Sequence, residues 1–236
     1  MKFTKKQLLN EINNMINSRP KVGSDFSERA GDDGQFGRRL EEALGVKENN
    51  SKGADVQCSD GDVELKTHNI DSSCRTSVFT KEPNWNSNNG FNGIRDVIVE
   101  FPTSNSNGVI KCNTTIKNTP NNKGLYLDID DNVQMISIVD SEDRIVGQWS
   151  YSELQDKLNQ KCGDSVILVS RNRSGIVKGA KMYSGGDFDN LKEMLRDGRM
   201  VIEIRAKTGA SKKNRGTVFR TSNKYLPDLF KGVDNE

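Results

Sequence analysis

The chain has 236 residues, 33% of them hydrophobic and 29% charged, with 35 Lys and Arg against 33 Asp and Glu for a formal net charge of +2. That is enough apolar material for one buried core or a core with a small appendage, and no apolar run approaches the roughly 20 residues that cross a bilayer. Residues 1–6 lack the long apolar stretch of a signal peptide, so a cytoplasmic protein without membrane contact is expected.

Thr4-x-x-Gln7 is a capping box, and Leu8, Leu9, Ile12, Met15 and Ile16 follow it on one helical stripe, which predicts a first helix packed on the core. A loop rich in Gly, Asp, Ser and Arg spans residues 19–34. A second helix is predicted over residues 35–44, with Phe36, Leu40 and Leu44 as its apolar side and Gly45 closing it. Val63 and Leu65 then alternate with Asp62, Glu64 and Lys66, the period of a half-buried strand. Further strands are expected at 76–79, 109–116, 125–129, 133–139 and 144–149, mostly antiparallel because their connections are short. Ser150-x-x-Glu153 caps a helix running to about residue 161, and residues 165–169 read as a buried strand. Phe188, Leu191, Met194 and Leu195 mark a last helix ended by Gly198, with strands at 200–205 and 217–221 after it. Residues 84–93 and 104–123 read as polar and partly irregular. The fold class that follows is α+β or mixed α/β, a central mixed sheet flanked by helices.

The four cysteines (Cys58, Cys74, Cys112, Cys162) form no CxxC pair, which argues for free thiols over a zinc site or disulfide framework. His68 is the sole histidine, and nothing near it in sequence supplies the third group of a nucleophilic triad. The near-zero net charge hides segregation. Residues 124–164 hold nine acids against three bases, whereas residues 205–225 carry Arg205, Lys207, Lys212, Lys213, Arg215, Arg220 and Lys224 with no acid. Such a segment suits a polyanion, and a solvated surface run is its plain alternative.

The residues that point to chemistry are Asp55 and Glu64-Leu65-Lys66. Hydrolysis of a phosphodiester needs charge neutralised on the phosphate and a hydroxide-like nucleophile, which a carboxylate-held cation supplies. Residues two apart on a strand project to one side, so Glu64 and Lys66 would meet at the site while Leu65 enters the core. The separation of Asp55 from Glu64 suits a hairpin or bend. Asp55 and Glu64 are then candidate magnesium ligands, since this ion needs only one or two carboxylates and keeps several waters. The competing reading is an ordinary edge strand whose Asp62, Glu64 and Lys66 face solvent.

Gly37-Arg38-Arg39-Leu40-Glu41-Glu42-Ala43-Leu44-Gly45-Val46, Glu48-Asn49-Asn50, Gly53-Ala54-Asp55 and Val63-Glu64-Leu65-Lys66-Thr67 resemble, in order and spacing, the MvaI and BcnI restriction endonucleases, relatives of the MutH mismatch-repair nickase. The likeness runs on through Ser77-Val78-Phe79-Thr80-Lys81-Glu82-Pro83, Leu127-Asp128-Ile129-Asp130, Trp149-Ser150-Tyr151-Ser152-Glu153-Leu154-Gln155 and Arg215-Gly216-Thr217-Val218-Phe219-Arg220, nearly the whole chain.

The resemblance implies a PD-(D/E)xK-type fold in one domain over 1–236. Its catalytic part would cover about 1–170 and its recognition part about 171–236, around a DNA cleft. It further implies a monomer, Mg2+, cleavage of double-stranded DNA at a short pseudopalindromic CCNGG-like site with 5′-phosphate and 3′-hydroxyl ends, and a cognate methyltransferase. Glu41, Asp55, Glu64 and Lys66 match the family's active-site acids and lysine, and Glu203, Arg205 and Arg220 fall at its base-contacting positions. Lys212, Lys213 and Arg215 are expected at DNA, with Lys81 and His68 as further candidates. Lys213 stands where relatives carry a histidine. A nickase of the mismatch-repair kind and an inactive DNA-binding relative are the alternative expectations.

Overall fold

The computed structural model describes residues 3–24, 34–46, 54–209 and 216–233. In chain order the elements are α1 (Lys5–Asn14), α2 (Gln35–Ala43), β1 (Val56–Cys58), β2 (Gly61–Asn69), β3 (Arg75–Thr80), β4 (Asn84–Trp85), α3 (Ile94–Glu100), β5 (Ser104–Ser106), β6 (Val109–Ile116), β7 (Tyr126–Asp130), β8 (Met135–Val139), β9 (Ile145–Ser150), α4 (Tyr151–Cys162), β10 (Ser165–Arg171), β11 (Val177–Ser184), α5 (Phe188–Arg196), β12 (Met200–Lys207) and β13 (Gly216–Ser222). No helix among the described residues is long and apolar enough to cross a membrane.

The chain forms two compact units, one of residues 1–76, 158–187 and 226–236, the other of 77–157 and 188–225. Both are discontinuous because β2 finds its partner in β10, about a hundred residues later, while the intervening strands pair with one another or with β12 and β13.

The first unit is built on the sheet β1-β2-β10-β11. β2 and β10 run parallel, Val63 opposite Ser165 through Asn69 opposite Arg171, and β1 and β11 add antiparallel edges. Pairing is mostly antiparallel, as expected, in the meander β7-β8-β9 and at both edges of this sheet, while the long crossover from β2 to β10 permits one parallel pair. Val63 and Leu65 pack into a cluster with Leu8 and Ile12 of α1, Phe36 and Leu40 of α2, and Ile167, Val169 and Met182.

Both helices have the predicted ends. Thr4 Oγ1 accepts from Gln7 N at 3.1 Å while Gln7 Oε1 accepts from Thr4 N at 2.8 Å. After α2, Gly45 takes the left-handed conformation (φ 70°), and the Gly45 and Val46 amides donate to the Glu42 and Glu41 carbonyls, a Schellman motif.

The second unit holds the sheets β3-β13-β12-β6-β5 and β4-β9-β8-β7. Phe219 is fully buried, stacked on Phe79 at 4.5 Å between centroids and met edge-on by Trp149 at 5.4 Å. The predicted capping box starts α4, with Glu153 N donating to Ser150 Oγ and Ser150 N donating to Glu153 Oε2 at 3.0 Å. The polar stretches 84–93 and 104–123 are more regular than their composition suggests, supplying β4 and β5, and α3 lies between them. Strands as short as β4 and β5 acquire their register from neighbours, not from their own sequence.

Candidate active site

β1 and β2 form a hairpin, with Val56 opposite Val63 and Cys58 opposite Gly61, closed by the two-residue turn Ser59-Asp60. Gly61, the first residue after the turn, takes a φ of 130°, which side-chain-bearing residues rarely adopt. The hairpin lays Asp55, just before β1, beside β2, where its Oδ2 accepts the Leu65 amide at 2.9 Å. The antiparallel return thus makes neighbours of two carboxylates nine positions apart.

Glu64 and Lys66 project to one side of β2 as the two-residue period requires, and Lys66 Nζ lies 2.5 Å from Glu64 Oε1. The edge-strand reading fails twice. β2 is central, between β1 and β10, and Glu64 is only 2% exposed while Lys66 is 19%. Burial pushes the Glu64 carboxyl above its ordinary value, the Lys66 ammonium pulls it back, and the Asp55 charge raises it again. Burial pulls Lys66 down, but the Glu64 and Asp55 carboxylates outweigh that and hold its ammonium above the usual lysine value. The lysine is therefore a firm cation.

Glu64 Oε2 is buried and makes no hydrogen bond among the described residues. A buried carboxylate oxygen left over is unfavourable unless a cation or water takes it up. No group of three or more His, Cys, Asp and Glu able to hold a metal occurs among the described residues, and the donors the hairpin offers are the two carboxylates of Asp55 and Glu64. That donor set fits magnesium, which binds through few protein oxygens and keeps its waters, and is too sparse for a closed calcium cage.

Other predicted site residues are placed as follows. Glu41 lies on α2, next to Leu40, which packs with Val63 and Leu65, and is half-buried. Glu42 is exposed. His68 continues the Glu64 and Lys66 stripe, and its Nε2 is 3.2 Å from Ser170 Oγ on β10. Burial, then the nearby Arg171 charge, lowers its pKa, so the ring is neutral near pH 7.

In the second unit, Glu203 of β12 is buried and joins both arginines, with Oε2 at 2.6 Å from Arg205 Nη2 and 2.9 Å from Arg220 Nη1. Glu203 and Arg205 share a face by the strand period, and Arg220 comes from β13, where Val201 is its opposite number. The three predicted base-contacting residues therefore form one ionic cluster. Lys81 sits 3.5 Å from Glu153 Oε1, and its carbonyl accepts the Trp149 indole N–H at 3.2 Å. Lys212, Lys213 and Arg215, like the blocks Glu48-Asn49-Asn50 and Gly53, lie outside the described residues.

Two features around these sites were not read from the sequence. Glu82 clamps the start of β13, accepting Thr217 N at 2.9 Å and Thr217 Oγ1 at 3.2 Å. Cys162 is buried beside Lys66 and Glu64, its thiol pushed up to about 12 by burial. Neither lies close in sequence to the group it touches, so no spacing could announce them.

The protein-family comparison matches the MvaI/BcnI restriction endonuclease family over residues 9–230. The solved structure of restriction endonuclease MvaI with its cognate DNA substrate aligns at TM-score 0.76 with 19% identity, covering 97% of both chains. MvaI in the absence of DNA aligns at 0.56 with 19% identity over 99% of both. No curated protein sequence matches the chain significantly. The fold is the expected PD-(D/E)xK type. With the family model spanning all but the two ends, the chain belongs to the MvaI/BcnI restriction endonuclease family and is a type II site-specific deoxyribonuclease.

Proposed function

We propose that the chain hydrolyses both strands of duplex DNA at a short pseudopalindromic CCNGG-like site, with Mg2+ as cofactor and 5′-phosphate and 3′-hydroxyl ends as products. The observation that carries this reading is the joining of Asp55, Glu64 and Lys66 on one hairpin, with a buried Glu64 oxygen left for a cation. Mg2+ held by Asp55 and Glu64 would supply Lewis-acid charge at the scissile phosphate and a water of lowered pKa. Lys66, paired with Glu64, acts by offsetting charge on the phosphate and by orienting or deprotonating the attacking water. Leu65, anchored in the core, fixes the strand, and its amide holds Asp55 in place. Glu41 supports the site from α2 without binding the ion.

Glu203, Arg205 and Arg220 read base edges, arginine by bidentate bonds to guanine and the carboxylate by accepting from cytosine N4. Their ionic cluster keeps these groups ordered before DNA arrives, and base pairing then exchanges one set of charged hydrogen bonds for another. Lys212, Lys213, Arg215, Lys81 and His68 position the duplex through phosphate contacts without specifying sequence. The enzyme works as a cytoplasmic monomer beside a methyltransferase that protects the host's own sites.

Incubation of supercoiled plasmid with the protein and Mg2+ should give discrete linear fragments whose sequenced ends share one short motif. Open circles that never become linear would replace this reading with a nickase. No cleavage of several site-rich DNAs, despite salt-sensitive binding, would leave only a DNA-binding protein.

A further inference from the structure

The hairpin that carries Asp55 and Glu64 is short, and its outer strand β1 has three residues at the edge of the sheet. Its turn is gripped from outside on two sides. From the start of the chain, Phe3 O accepts the Ser59 amide at 2.8 Å, and Asp60 Oδ1 accepts the Lys5 amide at 2.9 Å. The second grip is the segment Cys162-Gly163-Asp164, the last residue of α4 and the two that lead into β10.

Each residue of that segment meets a different part of the hairpin. Asp164 Oδ2 accepts the Asp62 amide at 3.1 Å. A Cβ on Gly61 would collide with the same oxygen and stand 2.8 Å from Lys5 Nζ, so the turn is seated directly on the carboxylate. A Cβ on Gly163 would come within 3.3 Å of the Asp62 carbonyl and 3.5 Å of the Ala54 methyl, and Ala54 immediately precedes Asp55. Cys162 is a buried neutral thiol near enough to Lys66 and Glu64 to feel their charges, and it adds no third negative charge.

We propose that Asp164 is a positioning residue for metal binding: by holding the turn at Asp62 and Gly61 it sets the separation of the Asp55 and Glu64 carboxylates. It touches neither DNA nor the ion. Without its oxygen the turn can pivot, and a carboxylate pair at the wrong spacing binds a cation of strict octahedral preference poorly. Loss of an outer partner of a metal ligand lowers affinity about 10- to 100-fold. The inference rests on the reading of Asp55 and Glu64 as the Mg2+ ligands.

The test compares full-length wild type, Asp164→Ala, Asp164→Asn and Gly163→Ala by calorimetric Mg2+ titration and by plasmid cleavage across Mg2+ concentrations. Asp164→Ala should raise the Mg2+ needed for half-maximal binding and cutting about 10-fold, and the rate at saturating Mg2+ should fall much less. Asp164→Asn keeps one acceptor oxygen and should return the midpoint most of the way to wild type. Gly163→Ala keeps the Asp164 carboxylate but puts a side chain at a left-handed φ of 55° and within 3.3 Å of the Asp62 carbonyl. It should shift the midpoint the same way, which preserves the test should Asp164→Ala fail to fold. Active wild type with unshifted midpoints in Asp164→Ala and Gly163→Ala overturns the proposal, as does a loss of saturated rate at constant midpoint. Wild type that neither cuts nor binds Mg2+ overturns the metal reading itself, and this inference with it.

Discussion

Replacement of Lys66 by Met removes the one cation 2.5 Å from a carboxylate that is 2% exposed. Breaking a buried ion pair on one side costs about 3–5 kcal/mol. The lower end applies here because Lys66 is 19% exposed and water can partly replace it. The loss should depend on pH in a definite direction. Burial already raises the folded-state pKa of Glu64 above its ordinary 4.5, and the Lys66 charge is the largest effect opposing that rise. Without the ammonium, the folded protein holds a proton on Glu64 that the unfolded chain has released.

Between the unfolded and folded pKa values the native state binds more protons, so stability falls as pH rises, by at most ~1.4 kcal/mol per pH unit for one group. The fall stops once Glu64 ionises in the fold. Lys66→Met should therefore melt within about 3 °C of wild type at pH 5 and about 6–12 °C below it at pH 8, taking ~3 kcal/mol and 2–4 °C per kcal/mol for a chain of this size. Glu64→Gln added to Lys66→Met should remove most of the pH dependence. Thermal melts followed by circular dichroism at both pH values decide the matter. Equal losses at pH 5 and pH 8, or no loss at either, would refute the account of this pair.

Glu203→Ala leaves Arg205 and the half-buried Arg220 facing each other on neighbouring strands and should destabilise the DNA-free protein by about 2–4 kcal/mol. Glu203→Gln, which keeps an acceptor, should lose about 1 kcal/mol, and indistinguishable melts for the two variants would contradict the ionic cluster. In DNA binding, Lys212→Ala and Lys213→Ala should each flatten the dependence of log K on log salt by about 1 without changing site preference, whereas Arg220→Ala should relax preference at one base pair by about 1–3 kcal/mol. Electrophoretic titrations at several salt concentrations on cognate and altered sites separate the two behaviours. Of the four thiols, Cys74 is exposed while Cys58, Cys112 and Cys162 are buried, with burial pushing Cys112 up to about 11 and Cys162 up to about 12. Reaction of the native protein with a thiol reagent should therefore show one fast equivalent, and two or more would contradict the packing around Cys162.

Much of the local structure was legible because its causes are local. The Thr4/Gln7 and Ser150/Glu153 caps, the Gly45 stop and the strand at Val109–Ile116 depend on residues within a few positions of each other. Asp55, Glu64 and Lys66 were legible as a set for the same reason: a hairpin and a two-residue period bring them together wherever the sheet lies. β1 and β11 were not foreseen, since three residues around Gln57 and the weakly alternating run from Val177 carry little pattern of their own. They become strands because β2 and β10 offer backbone partners.

What the sequence determined by itself is therefore the chemistry available at the hairpin, and, through a likeness along the whole chain, the family that uses it. Tertiary structure decided the state of those groups. Parallel pairing with β10 makes β2 a central strand and buries Glu64, and that burial shifts its proton affinity and leaves its Oε2 without a hydrogen bond among the described residues. It also brought Asp164 under the hairpin turn and gathered Arg205 and Arg220 on Glu203. These contacts join residues on different elements, and only the packing of those elements brings them within hydrogen-bond reach.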